Sequence, residues 1–202
     1  MGIFESILIG FSIAAIPGPI FFEIVRRVLT KDFWSGISIS IGDFIGNFLI
    51  LLLIFFGVST FLTSSIAQTI LFIVGGLILI WLGISALKLK KEEIEKSYNN
   101  KMNSKNSILI GLGIAISSPI VIAFWISLSG SYLLQFPSKN IAFLNIFFIT
   151  FGFVFFHLIL AAFIHFTKHK VSSKNIVLLS KIFGIILILY GCNFFYKLIT
   201  LQ

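Results

Sequence analysis

The sequence predicts an all-α fold: a polytopic membrane protein whose six transmembrane helices form two inverted three-helix repeats. The first ground is composition. Of 202 residues, 58% are hydrophobic and only 11% charged, with a mean hydropathy of +1.10; a soluble domain carries about 25% charged residues. The second is the length of the uncharged runs. Residues 44–87 contain no Asp, Glu, Lys or Arg, room for two spans of about 20 residues each. The third is a duplication. Ser6–Gly10 (Ser-Ile-Leu-Ile-Gly) returns unchanged at Ser107–Gly111, and Ile13-Ala14 returns as Ile114-Ala115. Each copy then meets proline, Pro17 and Pro19 in the first and Pro119 in the second. Later, Gly76-Leu-Ile-Leu-Ile-Trp-Leu-Gly83 is echoed by Gly184-Ile-Ile-Leu-Ile-Leu-Tyr-Gly191. Chance matches of Ile and Leu are common in so apolar a chain, but matches carrying Gly and Ser at a nearly constant offset are not.

The first span is placed near residues 4–25. No basic residue precedes its apolar core, and Glu5 stands there instead, so it reads as a true span and not as a cleaved signal peptide. Spans two and three fall near 35–60 and 66–87. Uncharged runs over 106–138, 140–167 and 182–196 place the others near 107–133, 141–166 and 176–197. Apolar residues run continuously rather than alternating, which argues against a membrane barrel. The division is therefore a first repeat over 1–87, a cytoplasmic linker over 88–106 and a second repeat over 107–202. The linker mixes lysines with Glu92, Glu93 and Glu95 before turning rich in Asn and Ser, the pattern of a solvated connector. It is too short for a nucleotide-binding domain, and no Gly-rich phosphate loop occurs.

Charge sets the orientation. Arg26, Arg27 and Lys31 follow the first span, six lysines from Lys88 to Lys105 lie between the third and fourth, and Lys168, Lys170 and Lys174 lie between the fifth and sixth. The opposite connections carry only Lys139. The positive-inside rule puts the basic loops in the cytoplasm and both termini outside, in the cell membrane. The net charge of +8 is thus a topology signal with affinity for the anionic lipid bilayer, not the footprint of nucleic acid. Three spans per half invert the second copy relative to the first. Inverted repeats of this kind recur in secondary transporters, with the substrate site near the midplane where interrupted helices meet.

Pro17-Gly18-Pro19 interrupts the first span. Two prolines remove two backbone donors, and glycine permits a sharp departure from the helix; in lipid the freed carbonyls need a partner. Ser118-Pro119 is the corresponding break in the second half, after Ser117. Asp43 lies seven residues beyond Gly36, roughly 10–15 Å into a hydrocarbon core of about 30 Å. A carboxylate at that depth costs on the order of 2.5–3.5 kcal/mol and must face the bundle interior or water. It could bind an ammonium group, carry the coupling proton, or clasp the broken backbone. Asn47, one turn on, extends the same face. Glu23 is a second proton-coupling candidate, although Arg26 and Arg27 three and four residues later explain it well as a local ion pair near the cytoplasmic boundary. His157 is the third, as a relay titrating near neutral pH or as a packing histidine.

Other motifs read more simply. Gly42/Gly46, Gly75, Gly76, Gly83, Gly184 and Gly191 suit close helix packing. His165 and His169 have an i, i+4 metal spacing, but Lys168 and Lys170 would repel a cation and no carboxylate completes the set, so no metal site is expected. Lone Cys192 excludes an intramolecular disulfide or a multi-cysteine site. No nucleophile–base constellation suggests an enzyme, and no cofactor is called for.

Ala15-Ile-Pro-Gly-Pro19, the basic residues after it, and Gly36 with Gly42-Asp43 resemble the lysine-exporter (LysE/RhtB) family of amino-acid exporters. Gly76…Trp81-Leu82-Gly83 is similar to that family's third-span pattern, and Gly111…Ser118-Pro119 sits where many members carry Asn-Pro-Lys. Here Ser118 replaces the Asn and Ile120 replaces the lysine, which removes a charge from the expected pathway. The resemblance implies a proton-driven exporter of amino acids or related small polar metabolites, with Pro17–Pro19, Asp43 and Ser118-Pro119 framing the site. A metal-cation exporter of the same superfamily and a non-transporting membrane scaffold are the alternatives. Surface Gly and Phe are compatible with a homodimer.

Overall fold

The computed structural model describes residues 2–62, 64–92, 104–135 and 138–200. Its ordered elements are helices: α1 (Ile3–Ala14), α2 (Pro19–Thr30), α3 (Phe33–Phe55), the short α4 (Ser59–Leu62), α5 (Ser65–Leu87), α6 (Ser104–Ile116), α7 (Pro119–Gln135), α8 (Lys139–Thr167), a 3-10 turn (Lys168–Lys170) and α9 (Ser173–Thr200). Apolar runs this long form helices because only a helix satisfies its own backbone in lipid. Local chemistry sets the ends. Asp32 accepts from the Ser35 N–H at 2.6 Å, Ser64 from Ala67 and Ser138 from Ile141, each an N-cap. Pro19 opens α2, where its missing N–H costs nothing. Gly57, at φ +84° with open space around it, stops the second predicted span short of residue 60 by a left-handed turn that a side chain would strain.

Among the described residues, four helices are long and apolar enough to cross a membrane: Phe33–Phe55, Ser65–Leu87, Asn140–Lys170 and Ser173–Thr200. Two bent pairs, Ile3–Ala14 with Pro19–Thr30 at 76° and Asn106–Ile116 with Val121–Ser129 at 63°, bring the count to six if each is one span. The chain is therefore an all-helical multi-pass membrane protein. Most of the predicted linker (93–103) lies outside the described residues.

Glycines set the helix crossings. A Cβ on Gly10 would strike the Ile149 carbonyl and one on Gly152 the Ile7 carbonyl, so α1 and α8 run side by side with their backbones in contact. α3 and α6 repeat that crossing: Gly42 abuts the Ile108 carbonyl, and Gly111 the Ile39 carbonyl. In α5 and α9 Gly83 lies on Gly184 and Gly76 on Gly191, and this pair, like the other two, is antiparallel. Small residues allow such approach where lipid provides no hydrophobic drive for helix association. Large apolar side chains such as Ile70, Trp81, Phe163, Phe166 and Leu189 are exposed, as a surface solvated by acyl chains requires. Inside, one buried cluster gathers Ile24, Val28, Ile39, Ala161 and Ile176 around the far end of α2. A second joins Ile50, Ile122, Trp125, Ile146 and Ile149 at the other end of α3.

Candidate functional site

Between those two clusters lies a cavity of about 340 Å³, bounded by both helix breaks. After α1 ends, the Ala15 and Ile16 N–H groups still bond back to Phe11 and Ile13. Pro17 then ends the ladder, and Gly18 enters α2 in extended conformation, φ −136° and ψ −177°. Any residue adopts that conformation, and a Cβ there would meet nothing within 4 Å. The sharp turn thus comes from the prolines, and Gly18 instead keeps this wall of the cavity bare. With no side chain to cap α2, the N–H groups of Ile20 and Phe21, both residues lining the cavity, have no intrahelical acceptor. At the second break the order differs. Ser118 caps α7 by accepting from Val121 N–H at 3.4 Å, and Ser117 bonds back to the Gly113 carbonyl.

Helix α3 supplies the polar wall. Asp43 is 6% exposed and Asn47 2%, and both line the cavity. Their i, i+4 spacing lets Asn47 Nδ2 donate to Asp43 Oδ1 at 2.9 Å and to the Asp43 carbonyl at 2.8 Å. Asn47 Oδ1 in turn accepts from Trp125 Nε1 at 2.6 Å. This chain, Trp125 to Asn47 to Asp43, fixes the amide orientation and aims one end of its dipole at the carboxyl group. Opposite, α8 presents Phe153 and His157, whose Nδ1 lies 3.2 Å from Ser40 Oγ. Helix α9 presents Phe194 and Tyr190, whose hydroxyl donates to the Pro17 carbonyl freed by the break, at 3.2 Å.

Of the residues singled out from sequence, Gly18, Pro19, Asp43, Asn47, Ser118 and His157 meet at this cavity; Pro17, Pro119 and Glu23 are not among its lining residues. Pro17 still borders it through its carbonyl. Glu23 is wholly buried one turn beyond, held by a bidentate fork from Arg26 (2.8 and 2.7 Å) and by Arg27 Nε at 2.7 Å. Arg27 also reaches across to Ser107 Oγ at 3.2 Å. Lys168 Nζ closes the end of α2 by donating to the Val28 and Lys31 carbonyls at 3.3 and 3.2 Å. Its partner residue Lys31, outside the spans, has its ammonium pushed down to about 8 by burial, with Arg27 and Arg26 adding repulsion. Sequence reasoning did not single out Trp125 and Tyr190. In a uniformly apolar run, a tryptophan that bonds inward has the same pattern as the exposed Trp34 and Trp81. His165 and His169 lie 6.1 Å apart by ring centroid, and no group of three metal-ligating side chains occurs among the described residues.

No solved structure matches this chain. A curated relative in Bacillus subtilis (strain 168), named "Putative amino acid efflux protein YcgF", is 32% identical over 135 residues, which is 66% of this chain and 65% of the relative. The match thus covers slightly less than two thirds of that protein's length. A family model described as LysE type translocator matches residues 11–198, nearly the whole chain and every residue that lines the cavity. The interrupted first span, the buried Asp43 and the second break all fall within that match: the chain belongs to the LysE translocator family.

Proposed function

We propose that the chain is a secondary exporter of amino acids or related small polar metabolites, working by proton antiport in the cell membrane. The observation that carries this reading is the cavity of about 340 Å³ where two helix breaks meet around a buried carboxylate, in a chain of a translocator family. The relative's printed name, an amino acid efflux protein, supports the substrate class. Broken helices at the bilayer midplane expose backbone donors and acceptors to a small polar ligand. In this reading the substrate ammonium is received by Asp43, and its carboxylate by the uncapped Ile20 and Phe21 N–H groups, whose helix end carries a partial positive charge. Asp43 also takes the coupling proton when substrate leaves, with His157 as a second carrier; Pro17, Pro19, Asn47, Ser118 and Pro119 hold the walls. Glu23, clamped by two arginines, serves as the anchor of the cytoplasmic end.

Two inverted repeats, 1–87 and 107–202 around a cytoplasmic linker, supply the moving parts, with both termini outside. The crossings support this division. Under a two-fold operation that exchanges the halves, the α1–α8 contact maps onto α6–α3, and the α5–α9 contact maps onto itself with its glycines exchanged. The repeated serines also make reciprocal contacts between halves: Ser6 donates to Asn145 at 2.8 Å near the start of α1, and Ser107 accepts from Arg27 near the start of α6. Rocking that releases one contact while keeping the other would expose the cavity to each side in turn. The test is efflux of an amino-acid panel from loaded vesicles, with and without a proton gradient, for the native chain and Asp43→Asn. Gradient-driven efflux lost in the variant is expected. Efflux that ignores the substitution would demote Asp43 to a structural clasp, and no efflux of any amino acid by folded protein would sink the exporter reading.

A further inference from the structure

Resting on that reading, we propose a narrower substrate class: amino acids with a bulky, uncharged apolar side chain, aromatic or branched aliphatic. Charge is the first argument. Among the described residues, Asp43 is the one acid lining the cavity and no lysine or arginine lines it. A zwitterion's ammonium finds its counter-charge in Asp43. The second ammonium of lysine or the second carboxylate of glutamate would then be desolvated with no ionic partner. The second argument is that the polar side chains of the lining already bond within the protein. Asn47 has its amide nitrogen on Asp43 and its oxygen on Trp125; Ser118 holds the Val121 N–H, His157 faces Ser40, and the Tyr190 hydroxyl is on Pro17. Of the side chains, the Asp43 carboxylate, with about four lone-pair sites, keeps the largest capacity for a ligand, beside the uncapped Ile20 and Phe21 backbone N–H groups.

What remains of the wall is apolar. Ile20 and Phe21 face the cavity from the first break, Phe124 from the second, and Phe153 and Phe194 from α8 and α9. Substrate methylenes and rings are the groups such a surface rewards. A volume of about 340 Å³ sits at the low end of small-molecule pockets, about 300–1,000 Å³, which suits one amino acid and not a peptide. Phe153, its ring centroid 5.7 Å from that of Trp125, is the residue best placed to sense side-chain bulk.

Two measurements test the assignment. The first is efflux of labelled leucine, phenylalanine, serine, lysine and glutamate from loaded proteoliposomes, by the native chain and by Phe153→Ala. Leucine and phenylalanine should leave at least about tenfold faster than lysine or glutamate, and Phe153→Ala should erode that preference about tenfold. The second needs no transport. In a Trp34→Phe, Trp81→Phe background, both sites being exposed, Trp125 fluorescence should respond to leucine and phenylalanine and not to lysine at tenfold higher concentration. Lysine or glutamate leaving as fast as leucine, or shifting the fluorescence equally, overturns the apolar class and leaves the exporter reading standing. No efflux and no fluorescence response to any amino acid overturns both.

Discussion

The duplicated pentapeptide leads to a test of how the two ends of the bundle close. Ser6 is wholly buried, and its hydroxyl donates to Asn145 Oδ1 at 2.8 Å; the Asn145 amide nitrogen is already on the Ile141 carbonyl. Ser6→Ala leaves a buried carbonyl oxygen without that donor, a penalty of about 1–3 kcal/mol on the closed state at this end. At about 1.4 kcal/mol per tenfold, the open population there should rise roughly 5–150-fold. Ser107→Ala acts at the opposite end and more gently. It removes one acceptor at 3.2 Å from Arg27, which keeps Glu23, so about 0.5–1.5 kcal/mol is lost, roughly 2–12-fold. The assay replaces the exposed Cys192 with Ser, places a single cysteine at cavity-lining Val121, and adds a membrane-impermeant maleimide to either side of oriented vesicles. Ser6→Ala should speed labelling from the face where α1 begins, and Ser107→Ala from the other. Acceleration from the same face in both variants, or in neither, would refute reciprocal closure.

Three further outcomes follow from the same geometry. Gly111→Ala drives a methyl into the Ile39 carbonyl, whereas Gly113→Ala meets only the Ile78 Cδ1 at 3.4 Å; the first should lose about 1–3 kcal/mol or fail to assemble, the second should not, read as melting midpoints in detergent. Gly18→Ala, with nothing within 4 Å, should melt like the native chain yet export several-fold more slowly, because its methyl group narrows the wall at the break. Lys31 has its pKa lowered from 10.5 to about 8, so between those values the unfolded chain holds the proton more than the folded one. Stability should therefore rise as pH increases from about 8 toward 10.5, and Lys31→Met should flatten that part of a thermal-stability profile.

How much of this was legible beforehand depended on whether a residue's role is local. The apolar runs gave the spans because hydropathy and length are all a bilayer demands of a helix. Asp43 and Asn47 were legible as a pair because a helical turn brings i and i+4 together. Glycine contacts were legible in kind, as small residues suited to close packing, but which glycine meets which was not: Gly83 lies on Gly184 and Gly76 on Gly191. Partners distant in the chain were not. Trp125 lies 78 residues from the amide it bonds, and Tyr190 173 residues from the Pro17 carbonyl; no periodicity marks either. Gly18 looked like the hinge because glycine usually permits the unusual φ, yet its φ of −136° leaves the turning to the prolines.

Glu23 shows why a repeat in sequence does not imply a repeat in chemistry. Sequence spacing offered it as a boundary ion pair, yet it is fully buried with both arginines and tied through Arg27 to the second half. Carried by the offset of the repeated pentapeptide, Glu23, Arg26 and Arg27 fall on Phe124, Ser127 and Leu128, which carry no charge. The equivalent end of the bundle is packed instead by Ile122, Trp125, Ile146 and Ile149. One end is thus held by directional, charge-assisted bonds, which are strong when geometry is kept and costly when one partner is lost. The other is held by apolar contacts together with the neutral Ser6–Asn145 hydrogen bond. In the proposed rocking of two halves, this difference, written in three residues of the first half, would set unequal populations of the inward- and outward-open states.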